Sequence, residues 1–127
     1  MNFAFDPTGR LIIISAELFG PFGCAVVTLA LDTGATVTMI NRPIIEQLGY
    51  DVARAPDYRR VTTGSRVETV PFLMIDQIEP LGCTRYSLPV VCHTLPSTFS
   101  IDGLLGLNFL REQQLLIDFR TGLISLN

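Results

Sequence analysis

The feature that most constrains this chain is an apolar strand that runs directly into an acid. Residues 24–31 are mostly apolar, and Asp32, Thr33 and Gly34 follow them without an intervening turn. Burying a carboxylate at the end of such a strand costs free energy unless hydrogen bonds or a chemical role compensate for it. Glycine allows a tight loop and leaves space for other groups beside the acid. The stretch therefore predicts a strand that delivers a carboxylate into a compact loop.

Length and composition restrict the architecture further. The chain has 127 residues, enough for a single domain over residues 1–127 that buries about two-thirds of its unfolded surface. Because 48% of the residues are hydrophobic and only 17% are charged, part of the surface is expected to be covered in an oligomer. No apolar run reaches the length of a membrane-spanning helix, and residues 1–7 lack the pattern of a secretory signal. We therefore expect a cytoplasmic protein that has no membrane contact.

The charge pattern argues against a nucleic-acid partner. The formal net charge is −3, every basic residue is an arginine, and no basic stripe is interleaved with aromatic residues. Arg59, Arg60 and Arg66 do gather in one region of the sequence. We interpret this group as a solvated edge, with a preference for acidic substrates as the alternative.

Cysteine and histidine offer no metal site. Cys24, Cys83 and Cys92 form no metal-spaced pair, and their odd number argues against a disulfide framework. His93 is the single histidine and directly follows Cys92, so on a strand the two side chains would point to opposite faces. We interpret all four as core or surface residues and expect neither a metal nor a cofactor.

Turn signals divide most of the chain into strands. Runs rich in β-branched and apolar residues are separated by short glycine-containing turns, a pattern that predicts hairpins. The predicted strands are residues 11–18, 24–31, 37–40, 58–63, 66–78, 84–92, 115–119 and 123–126. Pro89 is expected at an edge or a bulge because proline cannot donate to a ladder. Residues 51–58 and 94–100 are predicted to be irregular, and the whole pattern indicates an all-β domain.

Two short helices complete the prediction. Asn41 can cap a first helix that has Pro43 in its first turn and ends near Gly49. Asn108 can cap a second helix that extends through Gln114. A strand, a glycine loop and a short helix therefore occur twice, once around Asp32-Thr33-Gly34 and again around Leu104-Leu105-Gly106.

Three motifs in this order resemble the retropepsin-like, or retroviral-type, aspartyl proteases, in particular their bacterial single-lobe branch. The first motif is Asp32-Thr33-Gly34-Ala35-Thr36, which follows an apolar strand. The second is the hairpin at Thr62-Thr63-Gly64, where the family carries its substrate-covering flap. The third is Ile101-Asp102-Gly103-Leu104-Leu105-Gly106, which is similar to the family's second motif of two apolar residues and a glycine. The resemblance covers residues 12–127 and implies a closed β-barrel lobe that forms a twofold homodimer.

The resemblance also implies roles for individual residues. Asp32 would be the catalytic carboxylate, Thr33 would hydrogen-bond across the twofold axis, and Gly34 would present backbone groups to the substrate or to the acids. The substrate would be a peptide or protein bound as an extended strand. Its expected contacts are Ala35, Thr63, Gly64, Leu104 and Leu105, and Ile40 and Val61 are further candidates for apolar pockets. Core packing is an equally acceptable interpretation of the apolar members of this set.

One departure from the family concerns the dimer. Viral members often have an acid at the position of Thr36, where it pairs with an arginine across the dimer. That ion pair cannot form here, so the two chains must be held together differently. The flap sequence also has fewer glycines than viral flaps.

The proposed chemistry needs two carboxyl groups that share one proton. One acts as a base on a water molecule, while the other, protonated, polarises the scissile carbonyl. The chain contains a single Asp-Thr-Gly; Asp102 precedes the second motif and lacks the neighbouring hydroxyl. We therefore expect a homodimer in which each chain supplies Asp32, with activity on the acidic side and a dimer that loosens as pH rises.

Two other functions remain to be compared with this one. A non-catalytic dimerisation or peptide-binding module would bury the same core, so composition does not distinguish it from an aspartic endopeptidase. A phosphate or nucleotide binder that used Gly103-Leu104-Leu105-Gly106 is disfavoured because no Lys-Ser or Lys-Thr follows and the chain has no lysine.

Overall fold

The computed structural model describes residues 1–96, 98 and 100–127; of Thr63 it describes the backbone but not the side chain. Strands dominate, as the sequence predicts. They are β1 (Asn2–Ala4), β2 (Ile13–Gly20), β3 (Gly23–Leu31), β4 (Thr38–Asn41), β5 (Asp57–Thr63), β6 (Arg66–Pro80), β7 (Arg85–His93), β8 (Gly103–Leu105), β9 (Leu115–Asp118) and β10 (Leu123–Leu126). The helices are α1 (Arg42–Gln47) and α2 (Leu107–Leu110), and Val52–Arg54 form one 3₁₀ turn.

Three predicted hairpins are confirmed. Strands β2 and β3 pair antiparallel around a turn at Pro21 and Phe22, β5 and β6 pair up to Thr63 and Arg66, and β9 pairs with β10. At the tip of the β5–β6 hairpin Gly64 has a φ of +61°, the positive angle that a two-residue turn requires and glycine adopts readily. Because these pairings are local, the turn residues alone are sufficient to indicate them.

A closed barrel forms through pairings between distant parts of the chain. The strand order is β2-β3-β8-β4-β7-β6, and β6 pairs back onto β2 at Ile78 and Leu18, which closes the ring. Strand β5 lies outside the ring as the edge strand next to β6. Strand β8 is parallel to β3 and antiparallel to β4, so it fills the space between them. Closure leaves β5 as the exposed edge of this sheet.

The barrel encloses the apolar core. Alternate residues of β2 point inward, with Leu18 completely buried, and Ile40, Val90 and Phe109 are buried in the same cluster. Helix α1 packs Ile45 against this core. A second sheet, in the order β1-β10-β9, adds Ile124 to the core. Strand β1 was not predicted from the sequence, since three residues at the end of a chain give too short a pattern.

Three local predictions are wrong in detail. Asn41 precedes α1 as expected, but its side chain makes no capping hydrogen bond and accepts one from the Leu95 amide instead. Asn108 does not cap α2: the helix begins after Gly106 and ends at Leu110, short of Gln114. Pro89 lies in the inner strand β7 rather than at an edge or a bulge. It is tolerated there because β4 pairs only with residues 90–93, which leaves Pro89 paired with β6 alone.

The predicted irregular regions are partly confirmed. Residues 94–96 have no regular structure, and Ser97 and Phe99 of the predicted loop lie outside the described residues. Residues 51–56 contain only the 3₁₀ turn, although β5 begins at Asp57, earlier than predicted.

Candidate functional site

The predicted catalytic loop begins directly after β3. The amide of Asp32 donates a hydrogen bond to the Leu105 carbonyl oxygen (3.0 Å), and the Ala35 amide donates to the Asp32 carbonyl oxygen (3.2 Å). The Asp32 carboxylate accepts a hydrogen bond from the Gly34 amide (2.8 Å). Asp32 is half-buried, whereas Thr33 and Gly34 are exposed. The loop therefore holds the acid in one orientation and leaves its outer face open.

Glycine at position 34 leaves room for the side chain of the acid. A Cβ atom there would lie 3.1 Å from Oδ1 of Asp32, closer than ordinary van der Waals contact. The Gly34 amide donates its hydrogen bond to the same oxygen at 2.8 Å. The presence of a glycine two residues after the acid thus has a local geometric reason.

The second glycine motif, residues 103–106, packs directly against the loop of residues 32–35. A Cβ at Gly106 would lie 2.8 Å from the Ala35 carbonyl oxygen, and one at Gly103 would overlap the backbone of Met39. With glycine present, β8 fits between β3 and β4, and the Leu107 amide donates to the Ala35 carbonyl oxygen (2.8 Å). The two glycine motifs are therefore in direct contact.

Asn108 connects this support to two other segments. Its Oδ1 accepts hydrogen bonds from both the amide and the hydroxyl of Thr38 (2.8 Å each), and its Nδ2 donates to the Pro89 carbonyl oxygen (2.6 Å). The Thr38 hydroxyl oxygen in turn accepts from the Gly106 amide (3.1 Å). Thr38 is completely buried. Sequence reasoning missed this network; the one available signal was a threonine within an apolar strand.

Asp102, the rival acid in the sequence, has a structural role. Its carboxylate accepts a hydrogen bond from the Thr28 amide (2.8 Å), and its own amide donates to the Thr28 carbonyl oxygen (2.7 Å). Its carbonyl oxygen accepts from the Asn41 amide (2.7 Å). Asp102 thus joins β3 to β4 at the start of β8.

A cleft of about 580 Å³ separates the loop of residues 32–35 from the β5–β6 hairpin. The residues that line it are Asp32, Gly34, Ala35, Thr36, Val37, Met39, Arg59, Arg60, Val61, Thr62, Val91, Leu95 and Leu104. Among these described residues Asp32 is the only acid. One chain therefore presents one carboxylate at the cleft, beside a mostly apolar floor.

The predicted contact residues lie in three places. Ala35, Leu104 and the candidate Val61 line the cleft, whereas Leu105 and Ile40 are fully buried in the core. Gly64 lies at the exposed hairpin tip, and a Cβ there would meet no atom within 4 Å. The backbone of Thr63 ends β5, and its side chain lies outside the described part of the chain.

Arg59 and Arg60, interpreted from the sequence as a solvated edge, line this cleft. The Arg59 guanidinium lies over the Phe72 ring, 4.2 Å from its centroid, and its Nη2 is 3.9 Å from Oδ2 of Asp57. Both arginines are exposed, and Arg66 lies near the hairpin tip away from the cleft lining.

The remaining titratable groups lie outside the cleft. Nε2 of His93 is 2.6 Å from Oε2 of Glu68, and its Nδ1 is buried without a hydrogen-bond partner among the described residues. Burial raises the pKa of the neighbouring Cys92 thiol to about 11, so it stays protonated at neutral pH.

In the described residues no group of three His, Cys, Asp or Glu side chains could hold a metal ion. Likewise, no helix in the described part of the chain is long and apolar enough to cross a membrane.

Comparisons with known proteins agree with this geometry. The family model described as aspartyl protease matches residues 14–109, which include both glycine motifs and the hairpin between them. Among solved structures, a retropepsin-like aspartic protease from Rickettsia conorii superposes with a TM-score of 0.72 at 18% identity, covering 99% of this chain and 88% of that one. At this identity the likeness shows the fold alone. No curated protein sequence matches the chain.

Proposed function

The chain belongs to the aspartyl protease family, and from this premise we propose that residues 1–127 form an aspartic endopeptidase domain that works as a homodimer. The observation that carries the proposal is that Asp32 is the single acid among the described residues of the cleft. The Gly34 amide holds it on a loop whose residues Thr33 and Gly34 are exposed. A second carboxylate has to come from another copy of the chain. A twofold axis beside the loop supplies it, since it brings identical surfaces together.

In the proposed dimer the two Asp32 carboxyl groups share one proton, because like charges about 3 Å apart do not both ionise. The ionised one removes a proton from water, and the protonated one donates a hydrogen bond to the scissile carbonyl oxygen. Thr33, exposed at the loop surface, is proposed to hydrogen-bond across the axis. Gly34 is proposed to offer backbone groups to the substrate or to the acids.

The substrate is proposed to be a peptide in extended conformation between the loop and the β5–β6 hairpin, which acts as the flap. Ala35 and Leu104 line the floor of the cleft, and Val61 lines the side that belongs to β5. Gly64, at the tip of the hairpin, is proposed to cover the substrate together with Thr63. Main-chain hydrogen bonds would supply most of the affinity, and the apolar walls would favour apolar side chains beside the cleaved bond.

The direct test is cleavage of an unstructured protein at acidic pH. We expect hydrolysis by the wild type and none by Asp32→Asn, whereas the exposed Asp51→Asn, which removes the same charge away from the cleft, stays active. Equal cleavage by the wild type and Asp32→Asn would remove Asp32 from the mechanism. Peptide binding without cleavage by either protein would favour the peptide-binding module instead.

A mixing experiment tests the need for two acids. Mixed dimers of wild type and Asp32→Asn carry one carboxyl group and should be inactive. At a constant amount of wild type, adding an equal amount of the variant should reduce activity to about half once subunits exchange at random. Activity that stays unchanged, or that survives in a demonstrably monomeric sample, would contradict the dimeric mechanism.

A further inference from the structure

The wall of the cleft opposite the catalytic loop is the free edge of a sheet. Within the described residues β5 pairs only with β6, and its residues 59–62 line the cleft. An unpaired strand edge presents backbone donors and acceptors in a row, which an extended peptide can pair with. A substrate that pairs with β5 places its own side chains beside those of Arg59, Arg60, Val61 and Thr62.

This edge carries two consecutive arginines, Arg59 and Arg60. Arg59 is oriented by the Phe72 ring and lies at 3.9 Å from the Asp57 carboxylate, a long distance for an ion pair between exposed groups. Arg60 has no ion pair and no hydrogen bond to its side chain among the described residues. Among the described residues that line the cleft, the one acid is Asp32, which the proposed chemistry uses. Arg59 and Arg60 therefore line the cleft from consecutive positions of β5, with their side chains on opposite faces of the strand, and Arg60 has no compensating charge in contact with it among the described residues.

The other walls of the cleft are apolar. Val37, Met39 and Leu104 line the side of the catalytic loop, and Val91 and Leu95 line the side of β7 and the segment that follows it. A ligand that matches the whole surface has an extended backbone, apolar side chains and a negative charge next to β5. A peptide has all three features, whereas a nucleic acid lacks the strand backbone that a sheet edge binds.

We propose that the cleft selects peptides that carry a glutamate or aspartate close to the cleaved bond, at the position that lies beside Arg60, next to an apolar residue. This inference rests on the proposed peptidase function and names its substrate class. Arg60 is the specificity-determining residue, and Arg59, held against Phe72, adds to the positive potential. Opposite charges on neighbouring strands attract, and at an exposed edge the gain in specificity is a few-fold rather than a thousand-fold.

The experiment uses peptides of one apolar core sequence that carry a single Glu, or a single Gln, at each position around the central bond. The ratio of kcat/KM for Glu over Gln is measured at about pH 5 for the wild type. We expect a few-fold preference for Glu at one position. It should be lost in Arg60→Gln, retained in Arg60→Lys, and unchanged in Arg120→Gln, which removes the same charge in the β9–β10 turn. At about pH 3 the preference should shrink, because a glutamate side chain with a pKa of about 4.3 is then protonated.

A binding arm separates this inference from the proposed function. The same labelled peptides are titrated with the Asp32→Asn protein and followed by fluorescence anisotropy, so that binding is measured without cleavage. If the wild type cleaves no peptide, the proposed function fails while the Glu-to-Gln binding ratio still tests the role of Arg60. A ratio of one at every position, a preference that survives in Arg60→Gln, or no binding of any peptide would overturn the inference. Tighter binding of an oligonucleotide than of any Glu peptide would overturn it as well.

Discussion

The loop of residues 32–35 follows β3, and the segment of residues 104–108 runs from the end of β8 into α2. Each contains a glycine, yet the two differ in exposure. Thr33 and Gly34 are open to solvent, whereas Leu105 and Gly106 are buried. The first segment presents a carboxylate at the cleft, and the second accepts or donates the hydrogen bonds that hold the first in place. A reacting group has to be reached by substrate, whereas hydrogen bonds that fix its position are stronger where water is excluded.

The largest effect is expected from placing a methyl group in each glycine position. In Gly106→Ala the new Cβ lies 2.8 Å from the Ala35 carbonyl oxygen, and backbone has to move. We expect a loss of about 3 kcal/mol or more in the free energy of unfolding, or no folded protein. In Gly34→Ala the methyl group meets only Asp32 Oδ1, at 3.1 Å, so the fold should survive while hydrolysis falls at least about tenfold.

Thermal unfolding and cleavage rates, measured on both glycine variants, check this difference. The different roles of the two segments would be contradicted if Gly34→Ala were as unstable as Gly106→Ala, or if Gly106→Ala were stable and active.

A smaller loss is expected from removing the side chain that joins the buried segment to β4. Asn108→Ala leaves the amide and hydroxyl of the buried Thr38 without their shared acceptor, at a cost of about 2 to 4 kcal/mol in the free energy of unfolding. Asn108→Asp keeps an acceptor for Thr38 but puts a carboxylate oxygen in place of the amide nitrogen that donates to the Pro89 carbonyl oxygen, so it should also destabilise the fold.

Denaturant unfolding of these Asn108 variants, with the exposed Gln47→Ala as the control, measures the difference. Equal stability of Asn108→Ala and the wild type would show that the network does not hold the segment.

Cys92, a buried thiol, gives a prediction about how the stability of the core depends on pH. Cys92 lies opposite Ile40 in the β4–β7 pair, and burial raises the pKa of its thiol from 9.0 to about 11. Because the raised pKa favours the protonated folded state, this stabilisation is complete below about pH 9 and is lost as pH rises to about 11. The loss is up to about 2 to 3 kcal/mol.

The test is the difference in unfolding free energy between the wild type and Cys92→Ala, followed from pH 8 to 11. Burial also raises the pKa of Tyr50, and the difference between the two proteins removes that contribution. A difference that stays constant over this range would contradict the assignment to Cys92.

The smallest expected effect is on dimer dissociation and concerns the exposed loop of residues 32–35, where two copies of Asp32 are proposed to meet. Two ionised carboxylates about 3 Å apart repel by at least about 1.4 kcal/mol, so the dimer should dissociate about tenfold more readily at pH 8 than at pH 5. Asp32→Asn has no charge at this position and should show a much weaker pH dependence.

Sedimentation equilibrium at the two pH values, on the wild type and Asp32→Asn, measures this effect. A tighter wild-type dimer at pH 8 than at pH 5 would contradict the proposed meeting of the two acids.

The hairpins and the all-β class could be predicted because they depend on neighbours in the sequence. Gly64, with its positive φ, sets the β5–β6 turn, and Gly122, with a φ of +70°, lies in the β9–β10 turn. The acid loop could also be located, since Gly34 lies close to an atom only two residues away, Oδ1 of Asp32.

The function of Asn108 could not be predicted because its partners are distant in the sequence. Asparagine near the start of a short helix is typical of a cap, and local reasoning assigns it that role. Thr38, 70 residues earlier, and Pro89, 19 residues earlier, determine its actual contacts. The same holds for Leu105: its sequence neighbours do not reveal that β8 is enclosed between β3 and β4.

By itself the sequence determined the strand that ends in Asp32, the tight loop at Gly34 and the hairpin turn at Gly64, because each depends on backbone freedom and hydrogen bonds within a few residues. Only the tertiary structure decided which residues face the cleft. The closure of β6 onto β2 leaves β5 as a free edge and places Arg59 and Arg60 opposite the acid. Side-chain exposure depends on pairings across the whole chain, and no local pattern contains that information.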